Sequence, residues 1–386
     1  MNIPFHRPDL PSDFNEIATE SIQNGWLTTG KQVELFEHEL ATFLDVKHVV
    51  VVNSCTAALH LGLASQKFAP GSKFLVPNYT FVSTVECGEY IGMIPRLVDS
   101  APDGFNIDLN QVEDMLKRET DIKAILPVHY GGIPVDMNAI FSLADQYNLF
   151  VLEDAAHALE TVSNAGKVGN TNHGAAFSFY ANKNLTTLGE GGAFATNNEV
   201  LAQSIKNLSL HGITKDGWKR FDSGAKWEYD IIDLGYKYNM PDMSASFGRW
   251  QLKQVNHWQT LRHAIVKQYV NGLKNLDGIR IPSYVPGDGN AWHLFVIQFK
   301  NTNWRLSRNE FIDELIKKGI GVSVHYKPIH MLDYYHKKLG YKSDDFPRSK
   351  DLFESVISLP LYPSLTQDEL EYIISTIHEL FEQYSV

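Results

Sequence analysis

Apolar residues along this chain come in short runs that each end in a polar turn. They occur at 48–52 (HVVVV), 74–77, 94–98, 124–128 and 149–152. Such runs suit strands buried on both faces of a parallel sheet. Between them the spacing turns helical. Phe14, Ile17, Ala18 and Ile22 mark a helix over 12–24 with Ser12 as N-cap. Leu35, Phe36, Leu40 and Phe43 mark the next, 57–63 reads as a third, and 137–147 as another. The alternation predicts an α/β fold, an open, mostly parallel sheet with helices on both faces. Residues 193–196 add another strand. Residues 1–11 are punctuated by proline and read as an extended arm.

Further on the pattern changes. Leu252, Val255, Trp258, Leu261, Ile265, Tyr269 and Leu273 recur every three or four residues, which predicts one long amphipathic connecting helix. Strands are expected at 293–299 and 320–325, and helices at 308–318 and 367–383. The last opens on Thr366-Gln367-Asp368-Glu369, a capping box. The expected division is therefore an arm and large domain over 1–250, then a connecting helix and small α+β domain over 251–386. Residues 211–232 form a long loop rich in aromatic and basic side chains, readable as a functional loop or as an exposed insertion.

Composition narrows the partners. The 386 residues carry a net charge of −11, which argues against nucleic acid or an anionic membrane as the main partner. An anionic ligand must then be held by local features. Two cysteines, Cys55 and Cys87, make no disulfide framework and suit a reducing cytoplasm. No apolar stretch near the N-terminus resembles a signal peptide, and none reaches the roughly 18 residues of a membrane helix. There is no HExxH, CxxC, GxSxG or GxxxxGK[ST] motif, so no metal site is expected.

In a parallel sheet, ligands sit at the carboxyl ends of the strands. Asn53, Asn78, His129 and Asp154 all fall there. The turn 53–56 passes from strand to helix N-terminus, a geometry that suits either phosphate, with Thr56 adding a hydroxyl, or an ordinary N-cap. Phe81 suits stacking on a flat ligand or plain core packing. Asp154 follows four apolar residues, a costly place for a carboxylate unless it is paired. It reads as a helix N-cap or as the counter-charge of a protonated ring nitrogen. The most telling stretch is 177–192, FSFYANKNLTTLGEGG: a strand, a turn, Lys183 and a glycine cluster. Alone, Lys183 would pass for a surface lysine. At a strand end, partly desolvated, it suits a Schiff base with an aldehyde cofactor.

Taken in order, the Thr56 turn, the Phe81 strand end, Glu-Asp-Ala-Ala-His at 153–157 and the Lys183 stretch with Gly-Glu-Gly-Gly resemble the nucleotide-sugar aminotransferases, also called the DegT/DnrJ/EryC1/StrS family. GWLTTG at 25–30, TFVST at 80–84, GVSVHYKPI at 321–329 and SLPLYP at 358–363 extend the resemblance over nearly the whole chain. It implies a fold type I, pyridoxal 5'-phosphate (PLP)-dependent aminotransferase, working as a homodimer with L-glutamate as amino donor. By position Lys183 resembles the Schiff-base lysine and Asp154 the ring-nitrogen partner. His157 resembles the residue beside the phenolic oxygen, and Phe81 the aromatic on the ring. Cys55, Thr56 and Ser178 match phosphate binders. Lys237 and Asn239 lie where the family reaches into its neighbour's site. The usual Gly-Thr is Cys55-Thr56 here, and the usual GYNYR is GYKYN, which leaves open whether Lys237 or Asn239 meets the phosphate.

The expected substrate is a nucleotide sugar, specifically a UDP-linked 4-keto-6-deoxy-N-acetylhexosamine aminated at C4 for surface glycan such as lipopolysaccharide O-antigen. Thr29, Lys219, Arg220 and His325 are the expected substrate contacts, with Trp218 or Trp227 stacking on the base. The alternatives are a C3 aminotransferase on a dTDP- or GDP-sugar, a lyase acting on free amino acids, and a non-catalytic PLP-binding regulator on the same fold.

Overall fold

The computed structural model describes residues 1–23, 25–214, 229–299 and 304–384. Its centre is a seven-stranded sheet. In chain order the strands are β1 (His48–Val52), β2 (Lys73–Pro77), β3 (Ile94–Val98), β4 (Ile122–Ile125) and β5 (Phe150–Asp154). A small hairpin, β6 (Val162–Ser163) and β7 (Gly166–Lys167), precedes β8 (Gly174–Ser178) and β9 (Gly192–Thr196). The spatial order is β1-β9-β8-β5-β4-β2-β3. β3, β2, β4, β5 and β8 pair in parallel, as the apolar runs predict.

One pairing differs from the sequence reading. β1, the most β-branched run, hydrogen-bonds no parallel neighbour. It lies at an edge, antiparallel to β9, which is itself antiparallel to β8. Its burial therefore does not report a parallel ladder. The helices Lys31–Leu44 and Glu199–Leu208 pack on it, and Glu37 accepts a hydrogen bond from the Val51 N–H, blunting part of the free edge.

Three apolar clusters fill the two faces of this sheet. One gathers Val50, Leu59, Phe74, Leu152 and Phe194; a second gathers Phe36, Val51, Phe177 and Phe179; a third gathers Leu75, Val98, Ile125 and Val151. A separate core lies around the antiparallel sheet of β10 (Ile279–Arg280), β11 (Phe295–Phe299) and β12 (Val356–Leu359). The long helix joins them. It runs from Asp242 to Leu273, with Ala245 and Val255 in the large core and Ile265, Tyr269 and Leu273 in the small one. A division at 250/251 thus falls inside one continuous helix. It starts directly after Pro241, ten residues before the sequence periodicity, and the Asp242 carboxylate accepts from the N–H groups of Gly30, Gln32 and Val33 at the start of helix Lys31–Leu44.

In the small domain, residues 320–325 form no strand. They make single bridges, Ile320 with Ile3 and Ser323 with Ser358. The N-terminal arm takes the place that a further strand would occupy. Ile3 is buried, donates to Gly319 O and accepts from Gly321 N–H, both at 2.8 Å. The last helix, Gln367–Tyr384, opens on the capping box expected for it: Glu369 N–H donates to Thr366 Oγ1 and Thr366 N–H to Glu369.

Candidate active site

The carboxyl ends of β1, β5 and β8 open on one cavity of about 450 Å³. Cys55, Thr56, Phe81, Asp154, His157, Ser178, Lys183 and His325 all line it, with His293 and Tyr326.

Its floor is the turn from β1 into helix Cys55–Ala64. Ser54 is the N-cap, its hydroxyl accepting from Ala57 N–H at 3.1 Å. The N–H groups of Cys55 and Thr56 have no acceptor among the described residues, so they and the helix dipole are available to an anion. The Cys55 thiol is not part of this. It is buried, lies 3.5 Å from Ala176 O, and burial pushes it well above the ordinary thiol range. Cys55 can therefore serve the cavity only through its backbone. Gly192 closes the floor from the side: a Cβ there would stand 2.4 Å from the Ser54 carbonyl carbon and 2.5 Å from Cys55 N. Only a residue without a side chain lets β9 pass under the turn.

Asp154 ends β5 and is buried. Oδ2 accepts from Thr84 Oγ1 at 2.7 Å and Oδ1 from Ala156 N–H at 3.1 Å. Burial raises its pKa, opposed by the Thr84 hydroxyl, the Ala156 N–H and the charge of Lys183. A cationic partner in the cavity would keep it ionised.

Lys183 sits in a turn held by its own N–H to Tyr180 O (2.9 Å) and by Ala181 N–H to Gly189 O (3.0 Å). Gly189, at φ +106°, takes a backbone conformation that a side chain would strain. The Lys183 amine has no hydrogen bond or ion pair among the described residues. Burial lowers it from 10.5 to about 8, against the pull of Cys55 and Asp154. An unpartnered amine with its pKa lowered to about 8 gives up its proton, and so becomes nucleophilic, more readily than an ordinary lysine.

His157 is buried and held well below the usual imidazole range, first by burial and then by Lys183. Its Nδ1 accepts from Gly131 N–H at 3.1 Å, so the neutral ring carries its proton on Nε2, facing Tyr326 Oη at 3.1 Å. His325 holds Ser358 Oγ at 2.8 Å through Nδ1 and is lowered to about 4 by burial and Lys183. Phe81 is half-open on the cavity, 5.9 Å from the Tyr326 ring.

Other expected residues lie elsewhere. Asn78 and His129 are buried and spent on structure, Asn78 with His330 and His129 with Glu153. Thr29, Lys237 and Asn239 do not line this chain's cavity. They form their own cluster: Lys237 Nζ donates to Asn239 Oδ1, Asn239 Nδ2 to Thr29 Oγ1, and Thr29 Oγ1 to Met240 O. That cluster lies beside the end of β1, where Val52 bridges Asn239. Lys219 and Arg220, with Trp218 and Trp227, lie outside the described residues. Thr84, His293 and Tyr326 were not singled out from the sequence. Thr84 and Tyr326 do fall inside the resembling stretches 80–84 and 321–329, but nothing local marks His293. No group of three or more metal-ligating side chains occurs among the described residues.

Three features of this cavity fit PLP. Free N–H groups and hydroxyls gather at one end for a phosphate, a buried carboxylate awaits a cationic ring nitrogen, and an unpartnered amine is placed for an aldehyde.

The sequence profile of the "DegT/DnrJ/EryC1/StrS aminotransferase family" matches residues 8–378. The chain is 40% identical, over 98% of its length and 97% of the relative's, to the spore coat polysaccharide biosynthesis protein SpsC of Bacillus subtilis. Among solved structures it is similar to the putative sugar aminotransferase Spr1654 of Streptococcus pneumoniae in its PMP form. The TM-score is 0.90 and the identity 31%, with 99% of this chain and 98% of the other covered. It is also similar to Helicobacter pylori PseC, an aminotransferase involved in pseudoaminic acid biosynthesis, with a TM-score of 0.89, 26% identity, and 99% and 100% of the two chains covered.

Proposed function

The chain belongs to the DegT/DnrJ/EryC1/StrS aminotransferase family, PLP-dependent sugar aminotransferases of fold type I, and from that premise we propose both the roles of its residues and its substrate. The observation that carries the residue roles is the pairing of an unpartnered lysine amine, lowered to about 8, with a buried carboxylate across one cavity.

PLP supplies an electron sink for the carbanion formed when an amine-bearing carbon loses its proton. Lys183 holds the cofactor and, once free, moves that proton as general acid and base, for which a pKa near the working pH is suited. Asp154 keeps the ring nitrogen protonated, itself held in place by Thr84 and Ala156. Cys55 and Thr56, through their N–H groups, and Ser178 hold the phosphate. Phe81, half-open on the cavity, would offer its ring for stacking on the cofactor. His157 donates to Tyr326, which leaves the phenol proton of Tyr326 for a ligand oxygen.

The amino donor is L-glutamate and the acceptor a UDP-linked 4-keto-6-deoxy-N-acetylhexosamine, aminated at C4 in surface polysaccharide biosynthesis. The involvement of the two relatives in spore coat polysaccharide and pseudoaminic acid biosynthesis supports a glycan substrate. Lys219, Arg220 and Lys237 supply the local cations that the diphosphate requires in a chain of net charge −11. The test is incubation with glutamate and UDP-4-keto-6-deoxy-N-acetylglucosamine, then NMR of the product. A new amine at C4 is expected. An amine at C3, or turnover only of dTDP- or GDP-sugars, would replace this substrate with another.

The working unit is a homodimer in which Lys237 and Asn239 complete the partner's phosphate site. Two features support it. The Thr29–Lys237–Asn239 cluster stands outside its own chain's cavity, and Trp26, Leu27, Leu188 and Leu234 expose apolar surface in nearby segments. Mixing Lys183→Ala protein with a Lys237→Ala/Asn239→Ala double variant should restore activity, to about a quarter of wild type if subunits exchange at random. A fully active monomer in sedimentation would dispose of the shared site.

A further inference from the structure

His293 stands at the entrance to β11, in the small domain, and none of the roles above uses it. It is buried, lines the cavity, and its ring centroid lies 4.3 Å from that of His157. Its Nδ1 is 3.1 Å from Asn184 Oδ1. Which nitrogen carries the proton follows from what lies beyond Asn184. The Asn184 Nδ2 reaches Ala291 O at 3.3 Å and Glu160 Oε2 at 3.0 Å. A backbone carbonyl only accepts, so the amide nitrogen must face it, and the amide oxygen must then face His293. The oxygen accepts, so His293 carries its proton on Nδ1. Burial, with His157 and Lys183 nearby, holds the ring well below the usual imidazole range and therefore neutral. Nε2 is left with a bare lone pair. It has no partner among the described residues, and it is not sealed within the protein.

Resting on the residue roles and substrate proposed above, we infer that His293 is a substrate-positioning residue whose bare Nε2, fixed by Asn184, Ala291 and Glu160, accepts a hydrogen bond from a hydroxyl of the sugar. The chemistry selects the sugar over the amino donor. A neutral imidazole lone pair attracts O–H and repels carboxylate. Glutamate ends in two carboxylates, and its one amine is the reacting group. The proposed 4-keto-6-deoxy-N-acetylhexosamine presents one free ring hydroxyl, at C3, directly beside its keto carbon. His293 therefore acts in the half of the reaction that takes the sugar, and leaves the half that takes glutamate alone.

Two substitutions separate the ring's two nitrogens. In His293→Asn the amide overlays Nδ1 and keeps the bond to Asn184, but nothing reaches the cavity. In His293→Gln the amide overlays Nε2 and can restore the acceptor. With the PLP-loaded enzyme, the half-reactions are followed separately by absorbance, using glutamate and then UDP-4-keto-6-deoxy-N-acetylglucosamine. For His293→Asn the glutamate half-reaction should stay within about twofold of wild type. The KM for the sugar should rise by about 5- to 20-fold, the loss of one hydrogen bond to a substrate hydroxyl, with partial recovery in His293→Gln. Equal losses in both half-reactions, or an unchanged sugar KM, overturn the inference. A second readout needs neither cofactor nor substrate. In apo-protein labelled with ¹⁵N-histidine, the His293 signals, identified among the 15 histidines by their loss in His293→Asn, should report Nδ1–H and a bare Nε2. Protonation at Nε2 overturns the inference. If wild type runs the glutamate half-reaction and aminates no UDP-keto-sugar, the substrate reading falls. The tautomer then decides: bare Nε2 upholds the inference and protonated Nε2 ends it.

Discussion

Lys183→Ala is expected to lower turnover by at least about 10⁴-fold, the upper range for loss of a positioned acid–base group. Lys183 is asked to do two things, hold the cofactor and move the proton, and the described residues offer no substitute. The other basic side chains of the cavity, His157, His293 and His325, are all held below the usual imidazole range by burial, and His157 is committed to Gly131 and Tyr326. Borohydride treatment of the loaded wild-type enzyme should fix the cofactor to the peptide containing Lys183 and to no other. Multiple turnover by Lys183→Ala with glutamate and a keto-sugar would defeat the assignment. The same residue predicts a stability change in the opposite direction. Its folded pKa, about 8, lies below its ordinary 10.5. The folded apo-protein therefore bears the cost of a desolvated ammonium at neutral pH, and loses that cost as pH rises from about 8 to about 10.5. Lys183→Met apo-protein should be more stable than wild type at pH 7 by about 1–3 kcal/mol, the advantage fading across that pH window. Urea unfolding at two pH values measures it. An advantage that does not change with pH would point to packing instead of charge.

Asp154→Asn should keep the cofactor and lose about 10²- to 10³-fold in both half-reactions, the usual cost of removing one preorganised charge from a buried site. The two side chains are nearly the same size. The amide oxygen can accept from Ala156 N–H, and the amide nitrogen can donate to Thr84 Oγ1 once that hydroxyl turns its proton to Phe81 O, 3.0 Å away, so the fold has little reason to change. The charge is what disappears. An amide cannot hold a pyridine ring in its cationic form, and the electron sink weakens. The raised pKa of Asp154 shows what its burial costs, and the nearby charge of Lys183 offsets only part of it. A cofactor titration alongside half-reaction kinetics distinguishes the outcomes. Near-wild-type rates would remove the ring-nitrogen role, and loss of cofactor binding would make Asp154 a structural residue.

What the sequence alone determined is whatever is written over a few neighbouring residues. The apolar runs identify the strands of the central sheet, and the helical spacing places four helices of the large domain, because both periods act within one element; it leaves the helices Ser83–Glu89, Leu109–Arg118 and Glu199–Leu208 unplaced. The Thr366–Glu369 cap is local for the same reason. Lys183 and Asp154 stand out in the sequence because each sits in a context costly to maintain without a use: Asp154 at the end of an apolar strand, Lys183 between a strand and a glycine turn. Tertiary structure decided everything that depends on which distant segment arrives alongside. β9 enters between β1 and β8, so the most β-branched run is an antiparallel edge strand, a choice its composition does not contain. Residues 320–325 are bridged by the arm from Ile3. Asp242 caps a helix more than 200 residues earlier in the chain. The Cys55 thiol turns toward Ala176 and leaves only its N–H to the cavity. His293 owes its tautomer to Asn184, which answers in turn to Ala291 and Glu160. A hydrogen bond is fixed by distance and direction in space, and separations of a hundred residues leave no trace in local pattern.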